Sequence, residues 1–197
     1  MSFPELSVLI PAAGESKRLG QAKQLLQHGS GSLIQNTVSA AQALAPGEII
    51  VVTGAKSTAV KATVKHHPVR WVHNSHWSDG MGGSIALGTA SVNPESTGLM
   101  ILLCDQWRVQ IQDLLALVNN WRSDPGRIFV AEADGRYMPP VIFPSTCFEA
   151  ILQLSGRQGA RSVLDAYPEL LTPVSMENAA FDLDTQKQLL EMKKTLN

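Results

Sequence analysis

The sequence predicts an α/β fold in which a mostly parallel sheet carries helices on both faces, giving three layers. Short apolar runs of about five residues, several rich in Val and Ile, recur without the polar alternation of a half-exposed strand, as strands buried on both faces require. Helix-like stretches separate these runs, and such alternation is the pattern of parallel crossover units. Breakers fall between elements, at Pro46-Gly47, Asp79-Gly80 and Asp124-Pro125-Gly126.

In chain order, strands are expected at residues 6–10, 49–53, 99–103 and 128–131. Helices are expected at 33–44, 56–66, 84–90, 111–121, 147–154 and 160–166, with a polar helix beginning at Thr185. No repeat, low-complexity segment or linker interrupts the pattern, so residues 1–197 are expected to form one domain.

Composition narrows the function. The hydrophobic fraction of 44% and charged fraction of 17% suit an ordinary globular chain. A net charge of −1 supplies no basic field for nucleic acid. No run reaches the roughly 18 apolar residues of a membrane span. The opening MSFPELSVLIPAAG has no basic region before its apolar run, so it does not read as a signal peptide, and a cytoplasmic location is expected. Cys104 and Cys147 have neither metal spacing nor a disulfide framework, and Cys104 reads as a buried free thiol. His28, His66, His67, His73 and His76 show no metal spacing on a common face.

In such a sheet ligands gather at the carboxyl ends of strands. Three segments begin there: residues 11–23, Cys104-Asp105-Gln106, and residues 181–185. The first follows its strand with Ala12, Ala13 and Gly14, then Ser16, Arg18, Gly20 and Lys23. Small residues let backbone amides approach phosphate oxygens, and successive amides in a turn form an anion nest. Arg18 and Lys23 add two cations within about 10 Å, counting about 2 Å per irregular residue. That combination matches a nucleoside triphosphate. Neither the dinucleotide GxGxxG nor the P-loop pattern is present.

The segment LIPAAGESKRLGQAKQLL resembles the signature of nucleotidyltransferases of the molybdenum-cofactor class, and its Ala-Ala-Gly is similar to the cytidylyltransferase branch. HNSHWSDGMGGSIALG, LLCDQ, GRQGARSVL and FDLDT resemble later family segments in the family's order, so the likeness spans nearly the whole chain. The resemblance implies a Rossmann-like nucleotidyltransferase fold of the glycosyltransferase-A type. It implies transfer of a nucleoside monophosphate, CMP from CTP, to the phosphate of molybdopterin, with Mg²⁺ and pyrophosphate release. A molybdoenzyme is then a possible partner. Guanylyl transfer, a sugar or polyol phosphate acceptor, or a nucleotide-binding protein with little turnover are the alternatives.

Asp105 ends an apolar strand, where a carboxylate can meet hydrated Mg²⁺; the alternative is capping of the next helix. Asp182 and Asp184 alternate about Leu183, so in an extended segment both face one side. The resemblance implies metal ligation by Asp105 and Asp184, with capping of the helix from Thr185 as a rival or coexisting role for Asp184. Arg18, Lys23 and Asp105 are the expected catalytic residues. Ser84 corresponds to a serine that meets the base, with a helix N-cap as its alternative, and Gly80 and Gly82 would let the base lie against backbone. Arg161, at the Gly-Ala-Arg helix start, would bind the acceptor's phosphate or else make an ion pair. Trp77 and Trp107 are expected to pack or to line an acceptor pocket.

The chain departs from the family where Met138-Pro139-Pro140 replaces Gly-His-Pro, where Trp107 replaces proline after Asp105-Gln106, and where a late acidic residue is missing. All three fall on the acceptor or metal side, while the triphosphate loop is intact.

Overall fold

Alternation within the first strand sets the layers. In β1 (Phe3–Ala12), Leu6, Val8, Ile10 and Ala12 enter one apolar cluster while Leu9, with Ala13 beyond the strand, enters another, because successive side chains of a strand leave opposite faces. Both faces must therefore be covered, and helices cover them. The chain continues through a small ribbon, β2 (Gln27–His28) and β3 (Gly31–Ser32), to α1 (Leu33–Ala43), β4 (Pro46–Thr53), α2 (Ser57–Thr63), β5 (Arg70–His73), α3 (Met81–Thr89) and β6 (Gly98–Ile101). It then forms α4 (Ile111–Ser123), β7 (Ile128–Ala133), β8 (Arg136–Pro144), α5 (Phe148–Leu152), α6 (Ala160–Ala166), β9 (Leu171–Ser175) and α7 (Gln186–Lys194). The computed structural model describes residues 2–195.

The main sheet has seven strands in the order β5-β4-β1-β6-β8-β7-β9. Four of its pairings are parallel, and β8 alone runs antiparallel, to both β6 and β7. The expected mostly parallel α/β sheet is thus present. Among the described residues no helix is long and apolar enough to cross a membrane.

Several boundaries differ from expectation. β1 runs on through Pro11 and Ala12, pairing with Val52 and Thr53, so the glycine-rich loop starts at the carboxyl end of an interior strand. β6 stops at Ile101; the Leu102 amide still donates to the Leu9 carbonyl at 3.0 Å, after which the chain turns at Cys104-Asp105. Pro46-Gly47 opens β4 rather than breaking the chain, a place where a strand tolerates proline. α2 and α5 are shorter than expected, and α3 starts at Met81, three residues early. β5, β8 and β9 were not expected.

A third, smaller cluster of Leu19, Leu33, Leu183, Leu189 and Met192 lies outside the two main ones. It binds the end of the glycine-rich segment to α7. Gln186 Nε2 reinforces it by donating to the Leu19 carbonyl. At about 1.5–3 kcal/mol for each fully buried Leu or Met, this cluster fixes the C-terminal segment against the first loop.

Candidate active site

The glycine-rich loop is held open from beneath. Gln24, almost fully buried, donates through Nε2 to the carbonyls of Gly14 (2.8 Å) and Ala12 (3.3 Å). Ser16 sits in the left-handed region at φ 60°, and its Oγ accepts from the Lys23 amide at 3.2 Å. The amides of Gly14, Glu15 and Ser16 donate no hydrogen bond among the described residues. A Cβ built on Gly14 would meet nothing within 4 Å. Free amides facing open space are the expected nest for an anion.

That loop lines a cleft of about 390 Å³, within the range of small-molecule sites. Ala13, Gly14, Ser16, Lys17 and Lys23 contribute from the first loop, Trp77, Gly80, Met81 and Ser84 from the start of α3, and Cys104 and Asp105 from the end of β6. Three strand ends thus converge, as their parallel order requires. Ala12 is buried beneath the loop, and Gly20 closes the turn at residues 17–19; neither lines the cleft.

Lys23 joins the carboxylates. Its Nζ donates to Asp105 Oδ2 and to Asp184 Oδ1, the latter at 3.0 Å. Arg18 reaches Asp184 from the other side, with Nη2 2.7 Å from Oδ2. Burial alone would lower the Lys23 pKa, but the Asp105 charge and hydrogen bond, with Cys104 and Asp184, outweigh it and keep the ammonium charged. Burial would likewise raise Asp184; the hydrogen bond and charge of Lys23, then Arg18, hold it below the usual carboxylate range. Burial pushes the Cys104 thiol up to about 12, so it stays neutral and is no nucleophile at ordinary pH.

The capping alternatives fail for both aspartates. Thr185 caps α7, its Oγ1 accepting from the Gln188 amide at 3.3 Å. Gln110 precedes α4, and Asp113 Oδ2 accepts from its amide at 2.8 Å. Asp182 and Asp184 do not lie in a strand. Their segment follows a single turn (Glu177–Ala180) rather than a strand, and Asp182 Oδ1 accepts from Gln188 Nε2 at 2.8 Å.

The carboxylates fit a hard divalent cation. Asp105 Oδ1 is buried with no hydrogen-bond partner, and Asp184 stands across the same ammonium. Mg²⁺ needs only one or two carboxylates when phosphates and waters complete its octahedron. No cluster of three or more His, Cys, Asp or Glu that could hold a metal occurs among the described residues, so an all-protein cage is not what these residues build.

Ser84 is the fourth residue of α3, 3% exposed, and accepts from Asn74 Nδ2 at 2.9 Å, so it does not cap that helix. Asn74 Oδ1 in turn accepts from the His76 amide at 2.9 Å. The pairing makes Asn74 a supporting residue that the HNS segment only hinted at. Gly80 and Gly82 also pack closely: a Cβ would stand 2.0 Å from the Gly156 carbonyl oxygen and 2.6 Å from that of Ser155, respectively, and of the two Gly80 lines the cleft. Trp77 lines the cleft. Trp107 instead packs edge-on to His28 and Phe181, away from it. Arg161 also stands off the cleft, pairing with Asp165 at 2.9 Å. Arg157, four residues earlier, is the residue of that segment that lines it.

Residues 8–170 match a family model described as the MobA-like NTP transferase domain. Nicotine blue oxidoreductase of Paenarthrobacter nicotinovorans is 30% identical over 201 residues, covering 96% of this chain and 97% of its own. The probable molybdenum cofactor guanylyltransferase of Rhodopirellula baltica is 36% identical over 154 residues, 75% of this chain and 72% of its own. Among solved structures, Rv0371c from Mycobacterium tuberculosis H37Rv superposes with a TM-score of 0.83 at 22% identity, over 96% of this chain and 97% of that one. A complex of Rv0371c with manganese gives 0.82 at 20% identity, over 96% and 98%. These two structures share the fold.

Proposed function

This chain belongs to the MobA-like NTP transferase family, and on that premise we propose that it transfers a cytidylyl group from CTP to the phosphate of an acceptor of the molybdopterin class, releasing pyrophosphate. The observation that carries this reading is the Lys23 ammonium bonded to both Asp105 and Asp184 beside a loop of free amides. A cation, two carboxylates and an anion nest are what a metal-bound triphosphate needs.

The amides of residues 14–16 would hold the phosphates, with Lys23 and Arg18 neutralising charge as pyrophosphate departs. Asp105 and Asp184 would hold Mg²⁺, which supplies charge neutralisation at the α-phosphate. Ser84, fixed by Asn74, would receive the pyrimidine edge. A phosphate monoester is already mostly deprotonated near neutral pH, its second pKa lying near about 6, so no protein base is required. The chain's task is alignment and electrostatic stabilisation, the main contributions in phosphoryl chemistry.

Thermal melting with CTP, GTP, ATP and UTP, each with Mg²⁺, tests the donor. A ligand at 100 times its Kd adds about 2.7 kcal/mol, or roughly 5–10 °C in a domain of this size. Selective stabilisation by CTP supports cytidylyl transfer, whereas a selective response to GTP points to guanylyl transfer. A flat response to all four rejects the nucleotide site. Pyrophosphate release with molybdopterin tests the acceptor; release only with a sugar or polyol phosphate would redirect the reading.

A second reading rests on the nearly full-length similarity to an oxidoreductase and on Pro139 and Trp107, which stand where the family pattern has histidine and proline. Here the cleft holds a nucleotide without transferring its phosphate. Stabilisation by a reduced nicotinamide dinucleotide, with no pyrophosphate released from any triphosphate, would favour it.

A further inference from the structure

Arg157 is a cation of the cleft that the scheme above does not use. It belongs to residues 155–159, the second part of the connection from α5 to α6, and lines the same cleft as Lys23, Asp105 and Ser84. The loop's backbone is locked. The Gly82 amide donates to the Gly156 carbonyl at 3.0 Å, and the close approach of Gly80 and Gly82 leaves no room for a side chain between α3 and the loop. Within the loop, the Ser155 amide donates to Gln158 Oε1 at 3.0 Å and the Gln158 amide to the Ser155 carbonyl at 3.1 Å. Leu154 and Ala160 bury the two ends in the core.

The neighbouring cations are already engaged. Lys17 pairs with Glu15 at 3.5 Å, Arg18 and Lys23 share Asp184, and Arg161 pairs with Asp165. Arg157 has no ion pair or side-chain hydrogen bond among the described residues, whose pairs all lie elsewhere. A guanidinium on a rigid loop, facing a cleft and left without a protein partner, offers a planar fork that matches a phosphate group. A fixed backbone also reduces the ordering cost of using it.

We infer that Arg157 binds a phosphate group of a ligand in the cleft, from the wall built by α3 and residues 155–159. The identity of that ligand rests on the nucleotidyl-transfer reading; its charge does not. The phosphate belongs either to the nucleotide or to the acceptor, and the same variants distinguish the two. Arg157→Gln and Arg157→Lys are compared with wild type by calorimetry against cytidine, CTP with Mg²⁺, and inorganic phosphate added to protein saturated with Mg²⁺ and CTP. Because the side chain is exposed, both variants should melt as the wild type does. A drop of about tenfold or more in CTP affinity for Arg157→Gln, with cytidine unchanged and Lys recovering part of the loss, supports the inference and assigns the nucleotide's phosphate. Unchanged CTP affinity with lost binding of inorganic phosphate supports it and assigns the acceptor's. Unchanged binding of all three probes overturns it. If wild type binds no CTP, the transfer reading fails, and inorganic phosphate is titrated into the free protein. Binding that disappears in Arg157→Gln then sustains the anion site, while no binding or unchanged binding overturns it too.

Discussion

The ammonium of Lys23 stands 3.0 Å from Asp184 Oδ1, joining residues 161 positions apart. The buried side chains of Leu183 and Leu19, packed in one cluster, bring the two segments together. The same ammonium also holds Asp105, so Lys23 is shared by both carboxylates expected to bind metal, with Arg18 pairing Asp184 as well.

Replacing Lys23 with Met should therefore have two opposed effects. Turnover should fall by about 10²–10³, the usual loss when one charge-stabilising donor is removed. Mn²⁺ affinity without nucleotide, read by electron paramagnetic resonance, should rise, because Asp105 then loses the Lys23 charge and Asp184 keeps only Arg18. Stability without metal should drop, by at most about 3–5 kcal/mol since the pair is only partly buried. Unchanged turnover, or weaker Mn²⁺ binding, would reject the shared-cation arrangement.

The depressed Asp184 pKa sets an acid dependence. Because its folded-state pKa lies below the unfolded value of about 3.9, its contribution is complete above that value and is lost as pH falls through the folded pKa. Asp182 works the other way. Burial, then the Asp105 and Asp184 charges, raise its pKa, so its ionisation costs stability as pH rises past the unfolded value. The melting temperature of wild type minus that of Asp184→Asn isolates the first effect. The difference should be positive at pH 6 and shrink below pH 4; a pH-independent difference would contradict it.

At Ser84, a residue lining the cleft, the hydroxyl is buried against Asn74. Ser84→Ala removes about 0.5–1.5 kcal/mol of hydrogen bonding, so CTP affinity should fall several-fold to about tenfold while pyrophosphate affinity stays constant. Equal weakening of both ligands would show that Ser84 does not read the base.

Gly80→Ala tests the lock between α3 and the loop that carries Arg157. The new methyl would lie 2.0 Å from the Gly156 carbonyl oxygen, at a φ of 136° that side chains rarely adopt. Backbone must move, at a cost of about 1–3 kcal/mol from overpacking and a similar amount from strain. Chemical denaturation should register that loss, and CTP binding should weaken with it. A variant as stable as wild type would show that the two segments are not held in contact.

Local pattern and family signature made much of the site legible. Residues 11–23 stood out as a candidate anion loop through their small residues and cations, and Asp105 stood out by following an apolar run. The missed strands share a cause. β5 and β9 are edge strands of mixed polarity, and β8 carries Pro139 and Pro140, which on local grounds argue against a strand. Antiparallel pairing with β6 and β7 overrides that preference.

The sequence by itself determined the layered α/β architecture, the glycine-rich loop and its cations, and the family. Tertiary structure alone decided that Asp184 faces Lys23 rather than capping α7, that Gly80 and Gly82 pack against residues 155–156, and that Arg157 rather than Arg161 lines the cleft. Periodicity and propensity act over a few residues, whereas these three outcomes depend on which distant segments bury their apolar side chains together.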